Sequence, residues 1–339
     1  MRYMLLLVVA ALFGVTTNTA FAYGHTGHEV VGAIADRLLT PNAAKKVKEI
    51  AEMNLQAAAK WPDCAKDVIK AKDGKFKYMP NPKYRAPCKE FEPAGGIARM
   101  EDYVKRNWDN CVRDPKSDPC HKQYHYSDVA IEHDKYDRSY AGTSDHDIVC
   151  SITAAIAVLQ GKPAPAPFSI KDQKEALLML AHFVGDIHQP LHVGAVYIDN
   201  HDHPTNPDGP GKKLDPNTET RGGNSIDDGS TNLHSEWDAI PASIKPAKIS
   251  AKMLTEAKAI GETSGDAVSW PTAWATETLV ASHDAFKDIT FKHEANKAGH
   301  WTIEFKDRKT YLTAKNKIQA MELTKAGARL AHVLNSIWP

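Results

Sequence analysis

Between residues 182 and 238 one short pattern occurs twice: a histidine followed four residues later by an aspartate. AHFVGDIHQPLH carries His182 and Asp186, and NLHSEWDAI carries His234 and Asp238. On a helix, positions i and i+4 share a face one turn apart, so each pair can aim an imidazole and a carboxylate at one point. His192 falls just past Pro190, which ends or bends the first helix. Upstream, YHYSDV offers His125 and Asp128, WPDCAK offers Asp63 and Lys66, and YGHTGHE offers His25 and His28. Nitrogen and oxygen donors without clustered thiolates suit zinc, and secondarily manganese or iron. Two His/Asp pairs with further donors exceed what one four-coordinate ion uses, so the pattern predicts more than one metal. Such a site favours hydrolysis, because ions about 3.5–4 Å apart activate water and clamp the attacking and leaving oxygens. Taken alone, a His/Asp pair of this spacing is more often a hydrogen-bonded surface pair than a ligand pair. His188, six residues after His182, is off a whole number of turns and should face away. The remaining histidines, His25 and His121 among them, read as ordinary residues.

These donors need elements to hold them, and the elements read as helices. GHEVVGAIADRLL, KEALLMLAHFVGDIH and KIQAMELTKAGARLAHVLNSIW space their apolar residues near the helical period. Strand signals are weak, which predicts an all-α bundle. Residues 76–96 and 200–224 are rich in Pro, Gly and Asn and read as long irregular loops. No linker separates two domains and no internal repeat is present, so residues 23–339 read as one domain.

The chain opens MRYMLLLVVAALFGVTTNTAFA, with Arg2, an apolar run and a small-x-small ending at Ala20 and Ala22. That is the layout of a signal peptide over residues 1–22, placing the mature start at Tyr23 and the product in the periplasm or outside the cell. Of the five cysteines, Cys64, Cys88, Cys111, Cys120 and Cys150, the pair Cys111 and Cys120 encloses a short loop and is the first expected bridge; the other pairings stay open. Lysine plus arginine and aspartate plus glutamate both total 42, so no basic face advertises a polyanion partner.

In chain order, a set of motifs resembles one family. They are Tyr23-Gly24 with Gly27-His28, Trp61-Pro62-Asp63, Tyr124-His125 with Asp128, His182-Phe183 with Gly185-Asp186, Gln189-Pro190-Leu191-His192, and Asn232-Leu233-His234 with Trp237-Asp238. Toward the tail, Trp274-Ala275-Thr276-Glu277 and Ala326-Gly327-Ala328-Arg329-Leu330-Ala331 continue the likeness. The family is the zinc-dependent, single-strand-preferring nucleases of fungi, plants and bacteria, which share a superfamily with bacterial zinc phospholipase C. The resemblance implies a mainly helical fold with three zinc ions in a cleft. By that likeness Asp63, His125, His182 and Asp186 hold one ion, and His192, His234 and Asp238 hold the most exposed. The third takes His28, Asp186 as a bridge, and the main-chain amine and carbonyl of Tyr23, where the family usually has tryptophan. Three dications against the carboxylates of Asp63, Asp186 and Asp238 leave the cluster at about +3, a local field for a phosphate in a neutral chain.

The implied reaction cleaves single-stranded DNA or RNA, or a 3′-nucleotide, by in-line attack of activated water on phosphorus, leaving a 5′ phosphate. Asp63 orients the water or accepts its proton, and Lys66 stabilises charge on the phosphoryl oxygens. Tyr126 stacks an unpaired base, Asp128 hydrogen-bonds it, and Asn224 lies near the phosphate. The bland alternative for Tyr126 is a packed core aromatic. Two rivals stand beside this reading. One is a phospholipase C on the same scaffold, whose last ligand pair tends to be His-x3-Glu where this chain has Asp238. The other is a non-catalytic zinc-binding protein, which gives no reason for Lys66 or the Tyr126/Asp128 pair. The segment from His192 to His234 is longer than either group leads one to expect.

Overall fold

The helix Gln173–Asp186 is the axis of the fold, with every residue from Glu175 to Asp186 buried. A helix buried on all sides must be wrapped by others. Here the helices Gly24–Asp36, Ile148–Leu159 and Arg308–Ile337 pack against it. The computed structural model describes residues 23–339 apart from 83–84, 94, 113–116, 213, 295–296 and 298. The leader expected over residues 1–22 therefore lies outside the described residues.

Local chemistry sets the helix starts. Asp172 caps the axial helix by accepting from the Glu175 amide at 2.8 Å, and Asp147 and Asn232 do the same for the helices Ile148–Leu159 and Leu233–Asp238. Short helices Trp61–Ala65 and Cys120–Gln123 and the 3-10 turn Pro190–His192 fill the space beside the axial helix. Pro190 ends the helical run as expected, so that His192 leaves on a turn rather than on the helix.

The all-helical expectation describes the core, and the structure adds small sheets at the rim. Ile289–His293 and Trp301–Phe305 pair antiparallel, and Ile226–Asp227 joins the second strand in parallel. In ITFKH and WTIEF apolar and polar residues alternate, but over five residues only, too short a run to stand out among helical patterns. The stretch 76–96 is also less irregular than its composition suggests, holding the strand Phe76–Tyr78 and the turns Arg85–Cys88 and Lys89–Phe91. Cys111 and Cys120 are bridged as expected, and the second bridge joins Cys64 to Cys88, leaving Cys150 free. Among the described residues no helix is long and apolar enough to cross a membrane.

Candidate metal centre and cleft

The last turn of the axial helix delivers His182 and Asp186 side by side, with His182 Nε2 3.1 Å from Asp186 Oδ2. The other elements bring their donors to the same point. His125, just past the helix Cys120–Gln123, places Nδ1 2.8 Å from Asp186 Oδ2, and His28 places Nε2 3.2 Å from Asp186 Oδ1. Asp63 Oδ1 lies 3.6 Å from His182 Nε2 and accepts from Lys66 Nζ at 2.8 Å. Gly185 makes the close approach possible: a Cβ there would stand 2.8 Å from His28 Nδ1. Next to this group, His192 and His234 face each other with 3.1 Å between their Nε2 atoms, and Asp238 Oδ2 lies 3.8 Å from His234 Nε2.

Among the described residues three donor sets could each hold a cation: His28, Asp63 and His182; His125, His182 and Asp186, which shares His182 with the first; and His192, His234 and Asp238. The first set differs from the grouping implied by the resemblance, which pairs His28 with Asp186. Both carboxylates lie within reach of His28, because the donors form one continuous cluster. Tyr23, just ahead of the helix Gly24–Asp36, reaches it through its main-chain nitrogen, which donates to Asp238 Oδ1 at 3.1 Å.

Backbone carbonyls fix the imidazoles. His182 donates from Nδ1 to Ala59 O at 2.7 Å, His192 to His125 O at 2.6 Å and His234 to Gly222 O at 2.7 Å. Each bond leaves Nε2 as a bare lone pair turned to the centre, the orientation a metal-binding histidine needs. Gly222 can offer that carbonyl because it adopts a φ of +54° and because a Cβ there would meet Leu191 O at 2.2 Å.

The cluster is short of donors. Asp63 Oδ2, Asp186 Oδ1, Asp238 Oδ2 and both ring nitrogens of His28 are buried with no hydrogen-bond partner. Burial works against ionising Asp63, yet Lys66 and the imidazoles of His182, His28 and His125 outweigh it and hold the carboxyl below its ordinary range. Asp238 goes the other way: burial pushes it well up, and Asp186 and Asp63 add to the push against Gln189. Burial pushes His234 down to about 3. Buried acceptors facing acceptors, with their positive charge missing, are what a divalent cation satisfies.

His188 stands apart, as its spacing predicts. Its Nδ1 donates to Val184 O at 2.7 Å and its Nε2 accepts from Arg329 at 2.9 Å. His25 is nearer the centre than an ordinary residue would be, since Asp63, His28 and His182 all act on it, and burial pushes its pKa down to about 4.

A cleft of about 870 Å³ opens over the set His192, His234 and Asp238, lined by Lys66, His125, Tyr126, Asp128, His192, Asn224 and His234, with Lys122, Arg221, Lys297 and His300 along its walls. The expected base-contacting residues Tyr126 and Asp128 therefore share the cleft with the donors, and Asn224 faces it from a turn in which its amide donates to Arg221 O at 3.0 Å. Sequence reasoning assigned no role to Gln189, whose amide donates to Asp238 Oδ1 at 2.9 Å and whose carbonyl accepts from Leu191 N. It also passed over Arg221 and Lys122, for which no local motif gives a signal.

A family model described as S1/P1 Nuclease matches residues 23–105 and 97–339. Among curated proteins the chain is similar to Endonuclease 2 of Arabidopsis thaliana, 26% identical over 341 residues that cover 93% of this chain and 90% of that protein. Endonuclease 4 of the same plant is 24% identical over 341 residues, covering 95% and 91%. Nuclease P1 of Penicillium citrinum is 29% identical over 207 residues, covering 56% of this chain and 66% of its own.

Proposed function

The chain belongs to the S1/P1 nuclease family, and from its cleft we propose how its residues divide the work of hydrolysing single-stranded nucleic acid. It is a phosphodiester hydrolase, an endonuclease by kinship. In the proposed site Asp63, His125, His182 and Asp186 hold one zinc ion and His192, His234 and Asp238 a second. His28 and Asp186 hold a third together with the main-chain nitrogen and carbonyl of Tyr23. The single observation that carries this reading is the group of buried, partnerless acceptors on Asp63, Asp186 and Asp238. Bound there, zinc supplies water activation at neutral pH and positive charge opposite the phosphoryl oxygens.

The chain's own groups do the rest. Asp63 is held by Lys66 through Oδ1, and its carboxylate, while helping to hold the cation, would orient a water molecule or take its proton as phosphorus is attacked. Lys66 lies on the cleft wall, where its ammonium meets charge building on the phosphate. Tyr126 stacks on one unpaired base, Asp128 hydrogen-bonds it, and Asn224 meets the phosphate. The 3′ oxygen departs and the product keeps a 5′ phosphate. The leader-like residues 1–22 and the two disulfides support a secreted or periplasmic setting.

Zinc-loaded protein should be assayed side by side on single-stranded DNA, RNA, 3′-nucleotides and phosphatidylcholine, with the product ends identified by phosphatase sensitivity. The expected result is 5′-phosphorylated fragments from the nucleic acids. Turnover of phosphatidylcholine alone defeats the proposal.

A further inference from the structure

The turn that fixes His234 also carries an arginine to which the reaction gives no task. Residues 220–225 are pinned from several sides. The amides of Gly223 and Ser225 both donate to Thr220 O at 3.1 Å, and Asn224 donates to Arg221 O from its amide at 3.1 Å and from its side chain at 3.0 Å. Within this turn Arg221, Gly222 and Gly223 all have positive φ, at 55°, 54° and 82°. Two of the three are glycine, which suits that backbone, and the first is not. A side chain in the left-handed region is strained, so the turn holds one at position 221 against its own backbone preference.

The turn stands between the two halves of the site. Gly222 O accepts from His234 Nδ1 at 2.7 Å, and a Cβ on Gly222 would lie 3.3 Å from Asp128 Oδ1. Arg221 is thus one residue away from both a donor imidazole and the base-contacting carboxyl. Its side chain lines the cleft and is 61% exposed, and its ion pair, Nη2 to Asp118 Oδ2, is a loose 3.5 Å. A close charge-assisted hydrogen bond measures about 2.7–2.9 Å, so Asp118 leaves the guanidinium with donors to spare.

The proposed reaction says which phosphate those donors would meet. A 3′-nucleotide is among its substrates, and the single base of a 3′-nucleotide hangs on the ribose whose 3′ oxygen departs. The base at Tyr126 and Asp128 therefore belongs to the nucleotide upstream of the cut. The next phosphate on that side is the 5′ phosphate of the same nucleotide.

We propose that Arg221 is a specificity-determining residue that binds the 5′ phosphate of the nucleotide held at Tyr126 and Asp128. Its planar fork matches two phosphoryl oxygens, and Asp118 holds the fork in place without occupying it. The inference rests on the nuclease reading of this cleft and names the strand end that such a nuclease handles best. Each cut leaves a 5′ phosphate on the downstream fragment, which is the group Arg221 reads. The fragment re-enters as a better substrate than a strand with a 5′ hydroxyl and is shortened to 5′-mononucleotides.

The test measures kcat/KM of zinc-loaded protein on three dinucleotides: one with both ends free, one with a 5′ phosphate, and one with the extra phosphate on its 3′ end, each scored at the internal bond. Dividing by the free form within each variant cancels changes in folding and metal loading. In the wild type the 5′ phosphate should raise kcat/KM about 5-fold, the upper value for an exposed charge pair. In Arg221→Gln that advantage should disappear while the effect of the 3′ phosphate stays, and Arg221→Lys, with the charge but not the fork, should keep part of it. Arg221→Gly suits the left-handed backbone, so its Tm should hold or rise while the 5′ advantage is lost. An arginine that only braced Asp118 would instead lower Tm and spare the ratio. A 5′ advantage that survives intact in Arg221→Gln, or none in the wild type, overturns the inference and leaves the nuclease reading standing. Failure of the wild type to cleave either dinucleotides or single-stranded DNA overturns both.

Discussion

Asp238→Asn should change protein stability in opposite directions with and without zinc. Asp238 Oδ1 already accepts from Tyr23 N and Gln189 Nε2, and Oδ2 has no partner. That orphan oxygen lies 3.8 Å from His234 Nε2, which is itself an acceptor because Nδ1 donates to Gly222 O. In the metal-free protein the substitution removes a buried carboxyl whose ionisation is disfavoured by burial and by Asp186 and Asp63. It also puts an amide donor opposite the waiting lone pair of His234. An unsatisfied buried polar group costs about 1–3 kcal/mol. For a chain of this size the unfolding entropy is about 0.7 kcal/mol/K, so 1 kcal/mol moves Tm by about 1.5 °C, and in chelator the variant should melt about 1.5–4.5 °C higher than wild type. With zinc the order reverses. A carboxylate ligand is gone, and a site that is 100-fold under-filled forfeits about 2.7 kcal/mol of linkage, so the variant should melt several degrees lower. Calorimetric scans in excess chelator and in excess zinc, with metal content by elemental analysis, read both arms. A loss of stability of equal size in the two conditions refutes the reasoning, since it would mark Asp238 as a purely structural carboxylate.

Tyr126→Ala should lower kcat/KM on single-stranded substrate by about 5- to 150-fold, the value of about 1–3 kcal/mol of base stacking, while Tyr126→Phe stays near wild type; equal losses in both variants would assign the residue to packing. Compared with protein processed to a Tyr23 start, a form with one additional residue before Tyr23 should hold one zinc ion fewer per chain, because the nitrogen becomes an amide, and mass spectrometry of the intact holoprotein counts the ions directly. Asp172→Ala should cost about 1 kcal/mol at pH 7 by removing the cap on the axial helix, with little added for the half-exposed, solvent-screened pair to Arg99. Burial works to raise Asp172, but the Glu175 amide and Arg99 outweigh it and hold the group below its ordinary 3.8. A depressed acid stabilises the fold above its unfolded pKa and loses that contribution as pH falls through the folded value. Melting curves of Asp172→Ala and wild type should therefore converge below about pH 4, and a constant gap down to pH 2 would contradict the assignment.

What could be read in the sequence was what local periodicity encodes. The i, i+4 spacing placed His182 beside Asp186 and His234 beside Asp238, and the proline after His188 explained why His192 sits on a turn. The off-period spacing likewise turned His188 away, toward Arg329. Groups that act across the fold carry no such local signature. The carbonyls of Ala59, His125 and Gly222 that set the imidazole tautomers are backbone atoms, which every residue possesses. Arg221 reaches Asp118 from far along the chain, on a segment whose composition reads only as loop. The hairpin 289–305 was lost for a different reason, as two five-residue strands alternate too briefly to compete with the helical signal around them.

The cleft also explains how a chain of balanced charge takes a polyanion, and why it should prefer one strand. Lysine and arginine equal aspartate and glutamate at 42 each, so no long-range field steers the substrate. Attraction must be local. Lys66, Lys122, Arg221 and Lys297 line the cleft whose floor holds His125, His192 and His234. Cations bound among Asp63, Asp186 and Asp238 would turn that floor from an excess of acceptors to net positive charge. In the proposed arrangement a base would reach Tyr126, which lines this cleft, only after leaving its stack. Extraction from a duplex costs a few kcal/mol, and one aromatic contact returns about 1–3 kcal/mol. The two nearly cancel in a duplex, whereas an already unpaired strand keeps the gain, so preference for single strands follows from placing the base platform next to the charge.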